Sequence, residues 1–176
     1  MLDCETGYLK PEDIKAGHYC NGGALGPAME FLKTQKMMSA KDYPYSEAYP
    51  MKNACNYDES KATDAQVSSY MFSESGDIDM MKKALSHQPI AAVLDSDNFT
   101  FQFYTWGIID ASVPSENVVD HTVTIVGYGN YEGTDYWLVK NSWGTDWGDT
   151  GYIKIGMKPG VGLYGIQIRG AWPVLV

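Results

Sequence analysis

From Pro89 onward the chain is a succession of short apolar runs, at 90–94, 118–126, 136–140 and 152–155, separated by Gly, Asp and Asn. Runs of this length, bounded by turn residues, are strands and not buried helices, and this constrains the fold more than any other feature. Upstream of Pro89 the period changes. Leu25, Ala28, Met29 and Leu32 recur at the three- and four-residue spacing of one helical face, and Pro27 is tolerated in a first turn. Ile78, Met81 and Leu85 share a second such face; Asp77 and Asp79 lie near its positive end, and Pro89 stops it. The first twenty residues, rich in Gly, Pro and charge, read as an irregular loop. The stretch 41–75, dense in Tyr, Pro, Ser and Asn, reads as a long surface connection carrying Cys55. Helices followed by antiparallel strands define an α+β chain with segregated lobes. The expected domains are 1–87, a helical part with a long loop, and 88–176, a β-rich part.

With 176 residues, 44% of them apolar, the chain can bury a real core. Thirteen basic against twenty-two acidic residues give a net charge of −9, which argues against nucleic acid or an anionic membrane as partner. No run approaches the roughly 20 apolar residues of a spanning helix. No charged region followed by an apolar core marks a signal peptide, so the compartment is left open. There is no internal repeat and no low-complexity tract, and neither a metal nor a cofactor is expected. Three cysteines, Cys4, Cys20 and Cys55, leave one unpaired or bound to another chain in an oxidising space. Asn98-Phe99-Thr100 permits N-glycosylation of a secreted chain.

Two motifs carry the chemistry: Val-Val-Asp-His-Thr-Val-Thr-Ile-Val-Gly-Tyr-Gly at 118–129, and Trp-Leu-Val-Lys-Asn-Ser-Trp-Gly-Thr-Asp-Trp-Gly-Asp-Thr-Gly-Tyr-Ile-Lys-Ile at 137–155. Together they resemble the papain family of cysteine peptidases. The resemblance implies a two-lobe fold with a partial helical lobe and an antiparallel, barrel-like β lobe. It implies His121 as general base and acid, Asn141 as the group orienting its ring, and Trp143 as a shield over their hydrogen bond. Such a pairing suits a thiol nucleophile, because an imidazolium stabilises the thiolate and later protonates the leaving amine. A side-chain amide oxygen on the second ring nitrogen fixes the tautomer and aims the ring. His18, in a polar loop, and His87, before Pro89, read as surface residues.

Met-Leu-Asp-Cys at 1–4, Cys-Asn-Gly-Gly at 20–23, Asp-Tyr-Pro-Tyr at 42–45 and the stretches 85–95 and 162–173 extend the resemblance over nearly the whole chain. It implies a disulfide between Cys4 and Cys55, and it gives Cys20 a partner in a segment not present here. It also implies a substrate-binding edge at Gly22 and Gly23, where a missing Cβ allows close backbone approach; a simple turn is the other reading. Ala24, Leu25, Val93 and Val119 would line the main specificity pocket, with Asp120 and Trp147 also at the substrate site. Arg169 falls at the base of that pocket, to favour an acidic side chain or plug the space, unless it is a solvated surface arginine. Tyr164 stands where the family has a cysteine of its third disulfide.

The family's nucleophile sits in a Gln-x-x-x-x-x-Cys-Gly-Ser-Cys-Trp-type segment at the start of the central helix, and these 176 residues contain no match to it. None of Cys4, Cys20 and Cys55 stands in the nucleophile's pattern. The chain reads as N-terminally truncated relative to the family and inactive alone. In one reading it is a degenerate homologue serving as a structural or binding subunit. In the other it is the larger piece of an active endopeptidase, acting on peptides, whose cysteine lies on a missing or separate chain. Either way, another chain or a cleaved N-terminal segment is expected to cover the helical lobe. Family precedent is lysosomal, vacuolar or extracellular.

Overall fold

The computed structural model describes residues 23–45, 55–111 and 118–175. The N-terminal loop, Cys4, His18, Cys20 and Gly22 lie outside the described residues. The elements are α1 (Leu25–Thr34), a 3-10 turn at Glu59–Lys61, β1 (Val67–Phe72), α2 (Ile78–Leu85), β2 (Ile90–Leu94) and a one-turn helix α3 (Phe99–Gln102). They continue with β3 (Ile108–Ile109), β4 (His121–Tyr131), β5 (Thr134–Lys140), β6 (Tyr152–Gly156), a 3-10 turn at Leu163–Gly165 and β7 (Gly170–Leu175). The strands form one sheet in the order β1-β7-β2-β4-β5-β6-β3.

By internal contacts the chain divides into two units, Met1–Tyr70 with Pro173–Val176, and Met71–Trp172. The position 87/88 falls within the second unit, because α2 belongs to it. There Met81 and Ala84, one turn of α2, pack into the same core as the sheet residues. The Asp77 carboxylate accepts from the Met80 N–H and caps the helix, as its place ahead of the apolar face suggests.

The second unit is built on alternation. Along β2, Ile90, Ala92 and Leu94 are fully buried and the residues between them half-buried. Val123 and Ile125 on β4, Trp137 and Val139 on β5, and Ile153 and Ile155 on β6 turn to the same core. The pairs β2–β7, β2–β4, β4–β5 and β5–β6 are antiparallel, but β3 pairs parallel with β6, so the sheet is mixed. The expected strand at 118–126 begins three residues later, at His121, and runs on to Tyr131 past a bulge between Ile125 and Gly127. Its extension depends on Gly129: opposite it stands Tyr136, whose hydroxyl would lie 2.8 Å from any Cβ at that position. β1 lies in the stretch expected to be a surface connection. Its Val-Ser-Ser-Tyr-Met-Phe sequence alternates too weakly to announce a strand, and Val67 alone among its six residues is buried.

In the first unit, α1 forms where the apolar spacing places it. Its N-cap residue Ala24 makes no side-chain cap bond, and no acidic residue stands in its first turn. Of its ten residues only Met29 is buried, while Leu25, Ala28, Phe31 and Leu32 are partly buried. A cavity of about 400 Å³ beside it is lined by Phe31, Leu32, Met37, Met38, Tyr43 and Tyr57, among others.

Candidate active site

Strand pairing brings two distant motif residues together. Thr124 of β4 stands opposite Lys140 of β5. His121, which opens β4, and Asn141, just past the end of β5, therefore emerge at the same end of the hairpin. His121 is further fixed by its register with Leu94 of β2, and the Asn141 N–H donates to the Gly151 carbonyl. The result is a hydrogen bond of 2.8 Å between His121 Nε2 and Asn141 Oδ1.

Asn141 Oδ1 also accepts from the Ser142 backbone N–H at 2.8 Å. A backbone N–H can only donate, so the atom at this position is the amide oxygen, and the His121 nitrogen facing it must donate as well. In the neutral ring the proton is therefore on Nε2 and the lone pair on Nδ1. Nδ1 has no hydrogen-bond partner among the described residues. A ring held in this way can take a proton at Nδ1 and return it, which is the chemistry a thiol nucleophile requires. Asn141 is 7% exposed, and its Nδ2 has no partner among the described residues.

Aromatic rings wall this pair. The Trp143 ring centroid lies 5.2 Å from that of His121, and Trp143 itself is 41% exposed. Trp147 packs on Trp143 at 5.4 Å and donates its indole N–H to the Gln102 carbonyl. Phe101 is the residue that the motifs did not reveal. It is fully buried and holds four rings around it, those of His121, Trp143, Trp147 and Tyr164, at 5.2–6.3 Å. Its only signal in sequence was a phenylalanine between two polar residues in a stretch without clear period.

Tyr164, at φ 55°, closes the wall from behind. Its hydroxyl lies 2.7 Å from Thr100 Oγ1, which itself donates to Asn98 Oδ1. The threonine has one proton to give, so the tyrosine is the donor. Burial pushes the Tyr164 phenol above its ordinary value. A raised acid contributes its stability fully below the unfolded value, about pH 10, and loses it as pH rises through the folded one. We expect Tyr164→Phe to be less stable than the wild type at pH 8 by about 0.5–1.5 kcal/mol. That gap should close or reverse above about pH 10; urea unfolding at the two pH values measures it.

Among the remaining candidates, Asp120 immediately precedes His121, and its N–H donates to the carbonyl of Leu94, the neighbour of Val93. Val93 sits on β2, half-buried. Val119, also half-buried, precedes β4, and its Cγ1 would lie 3.4 Å from a Cβ at Gly165. Asp120 is exposed, and its carboxylate accepts from the Ser96 N–H and hydroxyl. Arg169 is exposed, with its guanidinium 5.2 Å over the Phe72 ring. Gly23, Ala24 and Leu25 belong to the other unit. A cavity of about 640 Å³ lined by Trp106, Tyr131, Glu132 and Asp149 opens at the far end of β4 from His121 and takes no part in the pair.

Comparison with known proteins shows the family and the fold. A sequence model described as papain family cysteine protease matches residues 1–172. The probable cysteine protease RD21B of Arabidopsis thaliana is 34% identical over 99% of the chain, and vignain of Ricinus communis 35% identical over 99%. The chain spans 35% and 46% of the lengths of these relatives. Bromelain of Ananas comosus, solved in complex with the E64 inhibitor, superposes with a TM-score of 0.82 at 32% identity, covering 99% of this chain and 75% of that one. The chain belongs to the papain family of cysteine proteases, and its α+β fold is that of the family.

Proposed function

We propose that residues 1–176 are catalytically silent by themselves and act as a structural or binding subunit, with another polypeptide covering the helical face of the first unit. The observation that carries this is the state of α1, whose apolar side is only partly buried, with Met29 alone below a tenth exposed, beside a cavity lined by Met37, Met38, Tyr43 and Tyr57. Completing the burial of a large apolar side chain adds a fraction of the roughly 1.5–3 kcal/mol that full burial gives, so a cover over several of them adds appreciably to a domain's ~5–15 kcal/mol. The test is to titrate the purified chain with a peptide of the family's Gln-x-x-x-x-x-Cys-Gly-Ser-Cys-Trp type. Saturable binding that raises the melting temperature is expected. A monomer that binds neither this peptide nor an apolar dye would refute the proposal.

The geometry around His121 favours a second reading, in which the chain is the larger piece of an active endopeptidase. The hydrogen bond to Asn141 is formed and Nδ1 is free among the described residues, the arrangement a nucleophile would use. In that reading a cysteine from outside these residues meets Nδ1. Its thiolate attacks the peptide carbonyl carbon, the amine leaves with the proton from His121, and water then hydrolyses the thioester with His121 as base. Gly22 and Gly23 would offer the substrate a backbone edge in that reading, as the family resemblance implies.

Arg169 meets no carboxylate among the described residues. At a pocket base it would select an acidic side chain. In the completed enzyme, Arg169→Ala is expected to lower kcat/KM for a glutamate-bearing peptide about tenfold relative to its leucine counterpart, a difference of about 1.4 kcal/mol. An unchanged ratio would make Arg169 a surface residue. The disulfide pairing of Cys4 with Cys55 belongs to the same set of inferences; its support is that the Cys55 thiol is engaged in a disulfide, with the partner outside the described residues.

A further inference from the structure

The tripeptide Asn98-Phe99-Thr100 plays no part in the chemistry above, yet the structure organises it. Asn98 is the N-cap of α3, and its Oδ1 accepts from the Thr100 N–H at 2.9 Å and the Thr100 hydroxyl at 2.6 Å. The backbone donor fixes the oxygen on the helix side. Nδ2 is the opposite atom: it makes no hydrogen bond among the described residues, and it is not among their buried unpaired groups, so it reaches solvent. Phe99, the next residue in the chain, and Phe103, one turn further on, are 79% and 72% exposed, and their rings stack 5.9 Å apart with planes inclined by 12°. Two large apolar faces side by side in water call for a cover. The neighbouring amide offers an attachment point for one.

We propose that Asn98 is an N-glycosylation site and that the first sugar of the glycan lies over Phe99 and Phe103. On the reading that Cys55 is in a disulfide, the chain matures in an oxidising space, which the secretory route provides. The donor is a polyprenyl-pyrophosphate-linked oligosaccharide. The bond from sugar C1 to the pyrophosphate oxygen breaks, a bond from C1 to Asn98 Nδ2 forms, the amide gives up one proton, and polyprenyl pyrophosphate leaves with no redox change. Oδ1 is untouched, so the cap of α3 survives modification. The apolar face of a hexosamine ring, rich in C–H, suits the exposed faces of the two phenylalanines. Phe101, one residue from Thr100, lies 6.3 Å from the His121 ring, so the glycan would stand at the border of the candidate site.

The test is secretion of the full chain from a eukaryotic host, followed by peptide-N-glycosidase treatment. An increase in gel mobility, with Asn98 converted to Asp in the mass spectrum, is expected. Secreted chain with unmodified Asn98 overturns the proposal. Phe99→Pro should abolish the shift while keeping both Asn98 and Thr100, because proline is tolerated as the first residue of a helix. Asn98, at φ −138° and ψ 130°, already has the conformation that a following proline requires. Asn98→Gln should lose the same shift, which separates loss of the site from a folding defect of the proline variant. Removing the glycan should lower the melting temperature of the wild type by roughly 2–4 °C and that of Phe103→Ser by much less; equal losses would refute the stacking.

Discussion

Gln167→Leu is expected to lower the melting temperature by about 8–16 °C, equivalent to roughly 4 kcal/mol in a chain of this size. Gln167 is fully buried and carries three hydrogen bonds on one amide. Its Oε1 accepts from the Trp137 indole N–H at 3.1 Å, and its Nε2 donates to the carbonyls of Lys158 and Gly160 at 2.6 and 2.8 Å. Leucine fills the same volume but leaves the indole N–H and two carbonyls without partners, at about 1–3 kcal/mol for each group that stays buried. The amide is closely packed: a Cβ at Gly162 would lie 2.7 Å from Gln167 Cδ. Thermal unfolding followed by circular dichroism measures the effect. A loss below about 1 kcal/mol would mean that water satisfies these groups in the variant.

Asn141→Ala is expected to cost a completed enzyme about two to three orders of magnitude in kcat with little change in KM, the signature of a group that aims the base without holding substrate. The variant loses the acceptor for His121 Nε2 and leaves the Ser142 N–H unpaired. The ring is then free to rotate and to place its proton on either nitrogen. Nitrogen NMR of the isolated chain gives a second readout that needs no catalysis: the wild type should show one tautomer, protonated at Nε2, and the variant a mixture. If both show the same mixture, the hydrogen bond does not set the tautomer. Equal losses in kcat and in stability, with the tautomer unchanged, would make Asn141 a structural residue only.

The pair itself was legible because the two motifs that carry it resemble those of the papain family, not because any local periodicity marks a histidine as functional. The β4–β5 hairpin then explains why the two residues meet, since it brings His121 and Asn141 to one end. The helices at α1 and α2 were legible for a different reason, since their periodicity is local. Phe101, Thr100 and Tyr164 were not legible. Their contacts join α3 to a turn sixty-four residues away through one hydroxyl pair and a ring, and no local pattern encodes such closure. Gln167 escaped notice because a glutamine is ordinarily a surface residue, and its partners, the Trp137 N–H and the carbonyls of Lys158 and Gly160, meet it only in the folded chain. The parallel pairing of the two-residue β3 with β6 lay below the resolution of any periodicity argument.

The most direct measurement is turnover of a fluorogenic peptide by the purified chain, alone and with a cysteine-bearing segment of the family's type added. The account predicts that the chain alone gives no more hydrolysis than its His121→Ala variant. Turnover by the chain alone that is lost in His121→Ala and abolished by a thiol alkylator would contradict it, because the nucleophile would then lie within these 176 residues.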